Sequence, residues 1–186
     1  RMQAQINGRP CWTAGSTHAG EEAQIADVHT KVKATVKGLL TVLAPRHPNR
    51  ADEIEAVMKR SGLVVARRSR KEDITSETDV YLADTIGEMG LFYRLGAAAF
   101  VGGSLAPFGG QNVIEPARLG KAVLCGKYMM NFREIVARAE QADALTVVED
   151  DGALADALTE LLTDKVLLET KQRNALAFAT GESNVL

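Results

Sequence analysis

The sequence contains no apolar run approaching the roughly 20 residues that a helix needs to cross a bilayer. It shows no signal peptide. Its opening, Arg1-Met2-Gln3, reads as the edge of an excised piece, so missing targeting signals say little about a parent protein. Cysteine is scarce: Cys11 and Cys125 are the two, each inside an apolar run that reads as a strand. Neither belongs to a CxxC or a Cys/His cluster, which favours two buried thiols in a reducing compartment over a disulfide or a metal site. A charge of one sign is also lacking. The net charge of −2 and a pI of about 6.0 give no reason to expect a nucleic-acid binder, so any basic site must be local. Familiar chemical motifs are absent too: no GxGxxG at the first strand–helix turn, no P-loop, no DxD, no GxSxG elbow and no ligand cluster for a metal.

What is present is the ordinary composition of a globular α/β domain, 46% hydrophobic and 25% charged over 186 residues. Short runs rich in Val, Leu and Ala alternate with amphipathic stretches. Strands are expected at Cys11–Ala14, Leu39–Ala44, Leu63–Ala66, Val80–Ala83, Ala98–Val101, Ala122–Cys125 and Leu145–Val148. Their length and lack of alternation suit parallel strands buried on both faces. Between them, Glu21–Lys37 places Ile25, Val28, Val32 and Val36 on one helical face. Further helices are expected at Asp52–Arg60, Glu88–Leu95, Asn112–Leu119, Phe132–Gln141, around Leu154, Leu158 and Leu161, and at Val166–Phe178. Gly62, Gly96 and Gly120 stand where helices should stop. The polar segment Arg67–Thr78 reads as a surface loop. The alternation predicts a Rossmann-like, doubly wound parallel sheet with right-handed crossovers.

In such a sheet, ligands bind beyond the carboxyl ends of the strands, so the loops there carry the chemistry. Four have unusual content. In Gly15-Ser16-Thr17-His18-Ala19-Gly20-Glu21-Glu22, Ser16 or Thr17 could simply cap a helix whose first turn is acidic. Alternatively the loop faces a ligand, with Ser16 and His18 turned to the cleft. In Pro45-Arg46-His47-Pro48-Asn49-Arg50 the prolines stiffen the chain around Arg46, whose forked guanidinium suits a phosphate. His47 is open between a ligand contact and a buried hydrogen-bonder. In Asp84-Thr85-Ile86-Gly87-Glu88-Met89-Gly90 a helix start could receive an anion, or the stretch is an ordinary turn. The fourth, running from Gly102-Gly103 through Gly109-Gly110-Gln111-Asn112-Val113-Ile114-Glu115, has four glycines that suggest a backbone closing round a ligand. Glu115 could accept hydrogen bonds from ribose hydroxyls, or complete a capping box with Asn112.

The strings STHAGEE, PRHPNR and DTIGEMGLFYRLGAAAFVGGSLAPFGGQNVIEPARLGKAVLCG, with the trailing Asn131-Phe132, together resemble the C-terminal half of 3-deoxy-D-manno-octulosonic acid (Kdo) transferases. The resemblance covers nearly the whole chain in motif order. It implies a GT-B glycosyltransferase, inverting and metal-independent, needing no cofactor, that moves Kdo from CMP-Kdo to a lipid A precursor at the cytoplasmic face of the inner membrane. Residues 1–186 would be the donor domain, soluble as a piece and inactive alone. The acceptor site, the catalytic base and the membrane attachment would belong to an N-terminal domain absent here. Position by position, Pro45 and Arg46, then Gly87, Glu88 and Met89, then Asn112, Val113, Ile114 and Glu115 match the family's CMP contacts. Ser16, His18, His47, Gly109, Gly110 and Gln111 would face the cleft. Two departures stand out: Cys125-Gly126-Lys127 lacks a proline the family often has there, and Ala179–Leu186 stops where the family's last helix often continues, which predicts a dangling or ill-packed end. The alternatives are a GT-B enzyme with a UDP-sugar donor or a non-catalytic nucleotide-binding module.

Overall fold

A computed structural model describes residues 1–183 of the chain. Seven strands form one parallel sheet: β1 (Cys11–Thr17), β2 (Leu40–Pro45), β3 (Val65–Arg67), β4 (Val80–Leu82), β5 (Ala98–Val101), β6 (Ala122–Gly126) and β7 (Leu145–Val148). The order across the sheet is β3-β4-β2-β1-β5-β6-β7, so the winding reverses between β1 and β5. That reversal opens a crevice at their carboxyl ends, the place where doubly wound sheets bind ligands. Helices cover both faces: α1 (Met2–Ile6), α2 (Glu21–Lys33), α3 (Ala51–Arg60), α4 (Met89–Leu95), α5 (Ile114–Arg118), α6 (Arg133–Gln141), α7 (Asp151–Thr163) and α8 (Lys165–Ser183).

The period-two pleat sorts each strand's side chains between the two layers. Along β2, Leu43 joins the core under α2, α3 and α7, whereas Leu40, Val42 and Ala44 join the opposite layer with Phe92 and Leu95 of α4. Along β6, Ala122 and Leu124 go one way, Val123 and Cys125 the other. The stripe on α2 is the one the spacing predicts: Ile25, Val28 and Val32 are fully buried. The helix stops at Lys33 rather than Lys37, because the chain turns before Gly38, which adopts φ +76°. Val36 remains buried through that turn. Both cysteines are buried and free, and burial pushes each thiol up to about 12, well out of the reactive range.

Two expectations need correction, and one element is new. The short helix α1 was not foreseen. The segment from Arg67 is not all surface: Arg67 ends β3 and is buried, as are Ile74 and Thr78. The reason is a set of carboxylates around Arg67, from Asp52, Glu55 and Asp84, that lets a guanidinium leave water. The C-terminal helix does not dangle as far as Ser183. Ala175 and Ala179 are buried and Arg138 pairs with Glu182 at 2.9 Å, while residues 184–186 lie outside the described region. Among the described residues no helix is long and apolar enough to cross a membrane.

Candidate functional site

A cleft of about 530 Å³ lies over the carboxyl ends of β1, β2, β4 and β5. Pro45, the last residue of β2, is buried and sets the floor. The next backbone N–H, that of Arg46, donates to the Thr17 carbonyl at 2.9 Å, so the loops after β1 and β2 are joined at this point. The Arg46 side chain is exposed and enters the cleft. Pro48 then starts a short 3-10 turn, Pro48–Arg50, that leads into α3. Arg50 is not available to a ligand, because it pairs with the buried Glu22 at 3.0 Å and with Glu53 at 3.2 Å. Of the two arginines in this loop, only Arg46 is left without a carboxylate partner among the described residues.

Gly87 and Met89 bring the loop after β4 to the same cleft, and Gln111 and Glu115 bring the loop after β5. Glu115 lies in the first turn of α5 and is exposed. Asn112 spends its Oδ1 on the N–H of Ile114 at 2.9 Å, but the reciprocal arm of a capping box, from Glu115 back to Asn112, is missing among the described residues. The carboxylate of Glu115 is thereby free for a ligand. Helix α5 begins at Ile114 rather than Asn112 because this side-chain turn occupies the start.

Eight of the residues singled out in the sequence therefore meet in one cleft: Ser16, Pro45, Arg46, His47, Gly87, Met89, Gln111 and Glu115. Others do not line it. Glu88 turns away, accepting from the Thr85 hydroxyl at 2.6 Å and pairing with Arg68 at 2.8 Å, and that guanidinium holds its carboxyl below the ordinary range. Val113 and Ile114 are core residues. Asn112 is exposed but outside the cleft wall. His18 stands just beside the cleft, its ring stacked on Phe108 and edge-on to His47.

The glycine-rich loop has a different cause from the one its composition suggests. Gly109 and Gly110 adopt φ of +92° and +83°, and side chains there would run into Asn131 and Met129. A side chain at Gly102 would meet the Ser16 carbonyl oxygen at 2.5 Å. These glycines let protein pack on protein, and neither Gly109 nor Gly110 lines the cleft.

One role escaped the sequence reading, which took Glu21 only as an acid suited to the first turn of a helix. Glu21 opens α2, yet its carboxylate is completely buried and accepts four backbone N–H groups: His18 at 2.8 Å, Gly103 at 2.7 Å, and Ser104 and Leu105 at 3.0 Å each. It bolts the loop after β1 to the loop after β5 across the reversal point. Neither Ser16 nor Thr17 caps the helix, so the capping reading of that loop is replaced by this one. Ser16 itself sits at φ +56°, at an irregularity in the β1–β2 register. A non-glycine residue in the left-handed region, held there at the edge of a cleft, is the kind of strain that marks functional loops.

Comparison with known proteins gives the following. No family model matches the chain. The 3-deoxy-D-manno-octulosonic acid transferase of Haemophilus influenzae is 38% identical over 166 residues, 89% of this chain and 38% of that protein. The chain thus spans well under half the length of this curated relative. The crystal structure of the C-terminal CMP-Kdo binding domain of WaaA from Acinetobacter baumannii superposes with a TM-score of 0.90 at 33% identity, covering 95% of this chain and 93% of that domain. The C-terminal domain of a group 1 glycosyl transferase from Francisella tularensis shares the fold, with a TM-score of 0.63 at 17% identity over 98% of this chain and 93% of that one.

Proposed function

The chain belongs to the 3-deoxy-D-manno-octulosonic acid transferase family, and from that premise we propose that its cleft holds CMP-Kdo as the donor half of a GT-B Kdo transferase. One observation carries the reading: Arg46 and Glu115, from loops after different strands, line the same small cleft at the carboxyl edge of the sheet, and neither is spent on the protein itself. A nucleoside monophosphate needs both ends held. The guanidinium suits the phosphate through two parallel N–H donors. The carboxylate suits the vicinal hydroxyls of the ribose. Gly87 and Met89 flank the base. Transfer leaves CMP with about one more negative charge, and Arg46 stabilises that growing charge where it appears. Glu115 acts on binding of donor and product alike, so it governs affinity rather than acceleration.

The acceptor, a lipid A precursor, and the catalytic base belong in this reading to an N-terminal domain, as does attachment to the cytoplasmic face of the inner membrane. The reaction inverts the anomeric centre and uses no metal. The donor half alone binds CMP without transferring Kdo.

Isothermal calorimetry of CMP with this chain tests the site. Arg46→Ala and Glu115→Ala are each expected to weaken CMP by about tenfold or more, the loss typical of a charge-assisted contact. Unchanged CMP binding in both variants overturns the site. Thermal shift with UDP in place of CMP tests the donor: stronger stabilisation by UDP moves the chain to the uridine-donor enzymes.

A further inference from the structure

Two histidines flank Arg46, and nothing above uses them. His47 follows Arg46 directly, is exposed, and lines the cleft. His18 reaches the same spot from the loop after β1, with ring centroids 6.0 Å apart and planes at 82°. His18 is far from a loose surface imidazole. Its backbone N–H is bound by Glu21 at 2.8 Å, its Nδ1 lies 3.1 Å from the Ser16 carbonyl, and its ring stacks on Phe108 with centroids 4.5 Å apart. The edge bearing Nδ1 and Cε1 faces inward, toward Ser16, Glu21 and Gly103. A carbonyl can only accept, so Nδ1 carries the proton and Nε2, on the other side of the ring, presents a lone pair in the neutral form. The four N–H groups gathered on Glu21 keep this arrangement in place before any ligand arrives.

The geometry points to His47 and His18 as the receptor for an acidic sugar joined to the phosphate, with His47 taking the sugar's carboxylate and His18 Nε2 accepting from a sugar hydroxyl. This rests on the reading that the phosphate lies against Arg46. In a 2-ulosonic acid the carboxylate and the phosphate share one carbon, so a group that binds the carboxylate must stand next to the group that binds the phosphate. His47 is the neighbour of Arg46 in the chain and in the cleft wall. A neutral sugar would offer His47 no carboxylate to bind. The pair therefore selects acidic donors, a role separate from holding the nucleotide.

The test compares two probes, CMP and CMP-Kdo, by calorimetry on this chain and its variants. His47 is exposed, so His47→Leu is expected to fold normally. It should weaken CMP-Kdo about tenfold while changing CMP by less than about twofold, since a charge-assisted hydrogen bond is present with one probe only. His47→Gln keeps an N–H donor and should recover most of the loss. His18→Phe keeps the stack on Phe108 and should weaken CMP-Kdo alone, by a smaller factor. If His47→Leu leaves CMP-Kdo unchanged, or weakens both probes equally, the carboxylate receptor is wrong even though the nucleotide site stands. If Arg46→Ala leaves CMP unchanged, the phosphate does not lie against Arg46 and the inference falls with it.

Discussion

The carboxyl ends of β2 and β3 each deliver an arginine to the same rim of the sheet, and the two have opposite surroundings. Arg67 at the end of β3 is buried, with Nη1 2.6 Å from Asp52 and 3.3 Å from Glu55, and Nη2 2.9 Å from Asp84. Asp84 is in turn held by the backbone N–H of Ser69 at 2.8 Å and its hydroxyl at 2.5 Å. Burial alone would raise the Asp84 carboxyl, but these bonds and the Arg67 charge outweigh it and leave the group below its ordinary value. Arg46, just past the end of β2, is exposed and lies between two prolines in a cleft. The difference lies in the supply of carboxylates. An arginine surrounded by acids is spoken for by the fold, and one the fold leaves unpaired at a strand end is available to a ligand.

That contrast is broken most directly by truncating each arginine. Arg67→Ala strands Asp84 and Glu55 with fewer partners and is expected to cost about 3–5 kcal/mol of folding stability, as when one half of a buried ion pair is removed. Arg46→Ala should change stability by less than about 0.5 kcal/mol, as at an ordinary surface position. Urea unfolding of both variants decides it. Equal costs would mean that Arg46 is structural after all and that the cleft is not built around a free cation.

A smaller effect sharpens the comparison at the reversal point, where Glu21 is the acidic counterpart of Arg67: a buried charge wholly committed to the protein. Glu21→Gln replaces one acceptor oxygen with an NH2 group that cannot receive the N–H groups converging there. A loss of about 2 kcal/mol is expected. Amide exchange at Gly103, Ser104 and Leu105 should quicken before that of the β5 strand. Uniform quickening across the sheet would show that Glu21 supports the whole fold rather than this junction.

These cases also show what a sequence can disclose. Six of the seven strands fall within two residues of where their apolar runs predict, and β1 runs three residues further, to Thr17, because a parallel strand covered on both faces has little choice but to be apolar. The α2 stripe is legible for the same reason. Strand order is not: β4 inserts between β2 and β3, and nothing in a short run such as Val80–Leu82 names its neighbours. In the cleft, Arg46 and Glu115 were legible because a stiff or glycine-rich loop at a strand end restricts where a side chain can go. Glu88 and Glu21 were not. Their partners, Arg68 and the backbone of residues 103–105, are distant in sequence, and an acid in a first helical turn looks the same whether it faces water, a ligand or a buried nest of N–H groups. The glycines misled for a related reason, since a close approach by protein and one by ligand both demand the missing side chain.

The smallest effect concerns the opposite, amino end of the strands. His29 is fully buried, with Nδ1 2.7 Å from the Thr41 hydroxyl and Nε2 3.5 Å from Asp79, which Lys33 approaches at 2.7 Å. Burial lowers its pKa from 6.5 to about 4, opposed by Asp79 and aided by Lys33 and Arg9. The folded value lies below the unfolded one, so the unfolded chain takes up the proton first. His29 therefore contributes its full stability above pH 6.5 and loses it progressively as the pH falls toward about 4. Asp79 is depressed as well, its burial outweighed by the bond from Lys33, so its own loss falls below the ordinary 3.8 and outside that window. His29→Gln should thus flatten the decline in unfolding free energy between pH 6.5 and 4, measured by denaturant titration at several pH values. CMP affinity in the same variant should not move, since the histidine lies at the other end of the strands. Identical slopes in variant and parent would mean that His29 is not the group that titrates. A change in CMP affinity would mean that the two ends of the sheet are coupled.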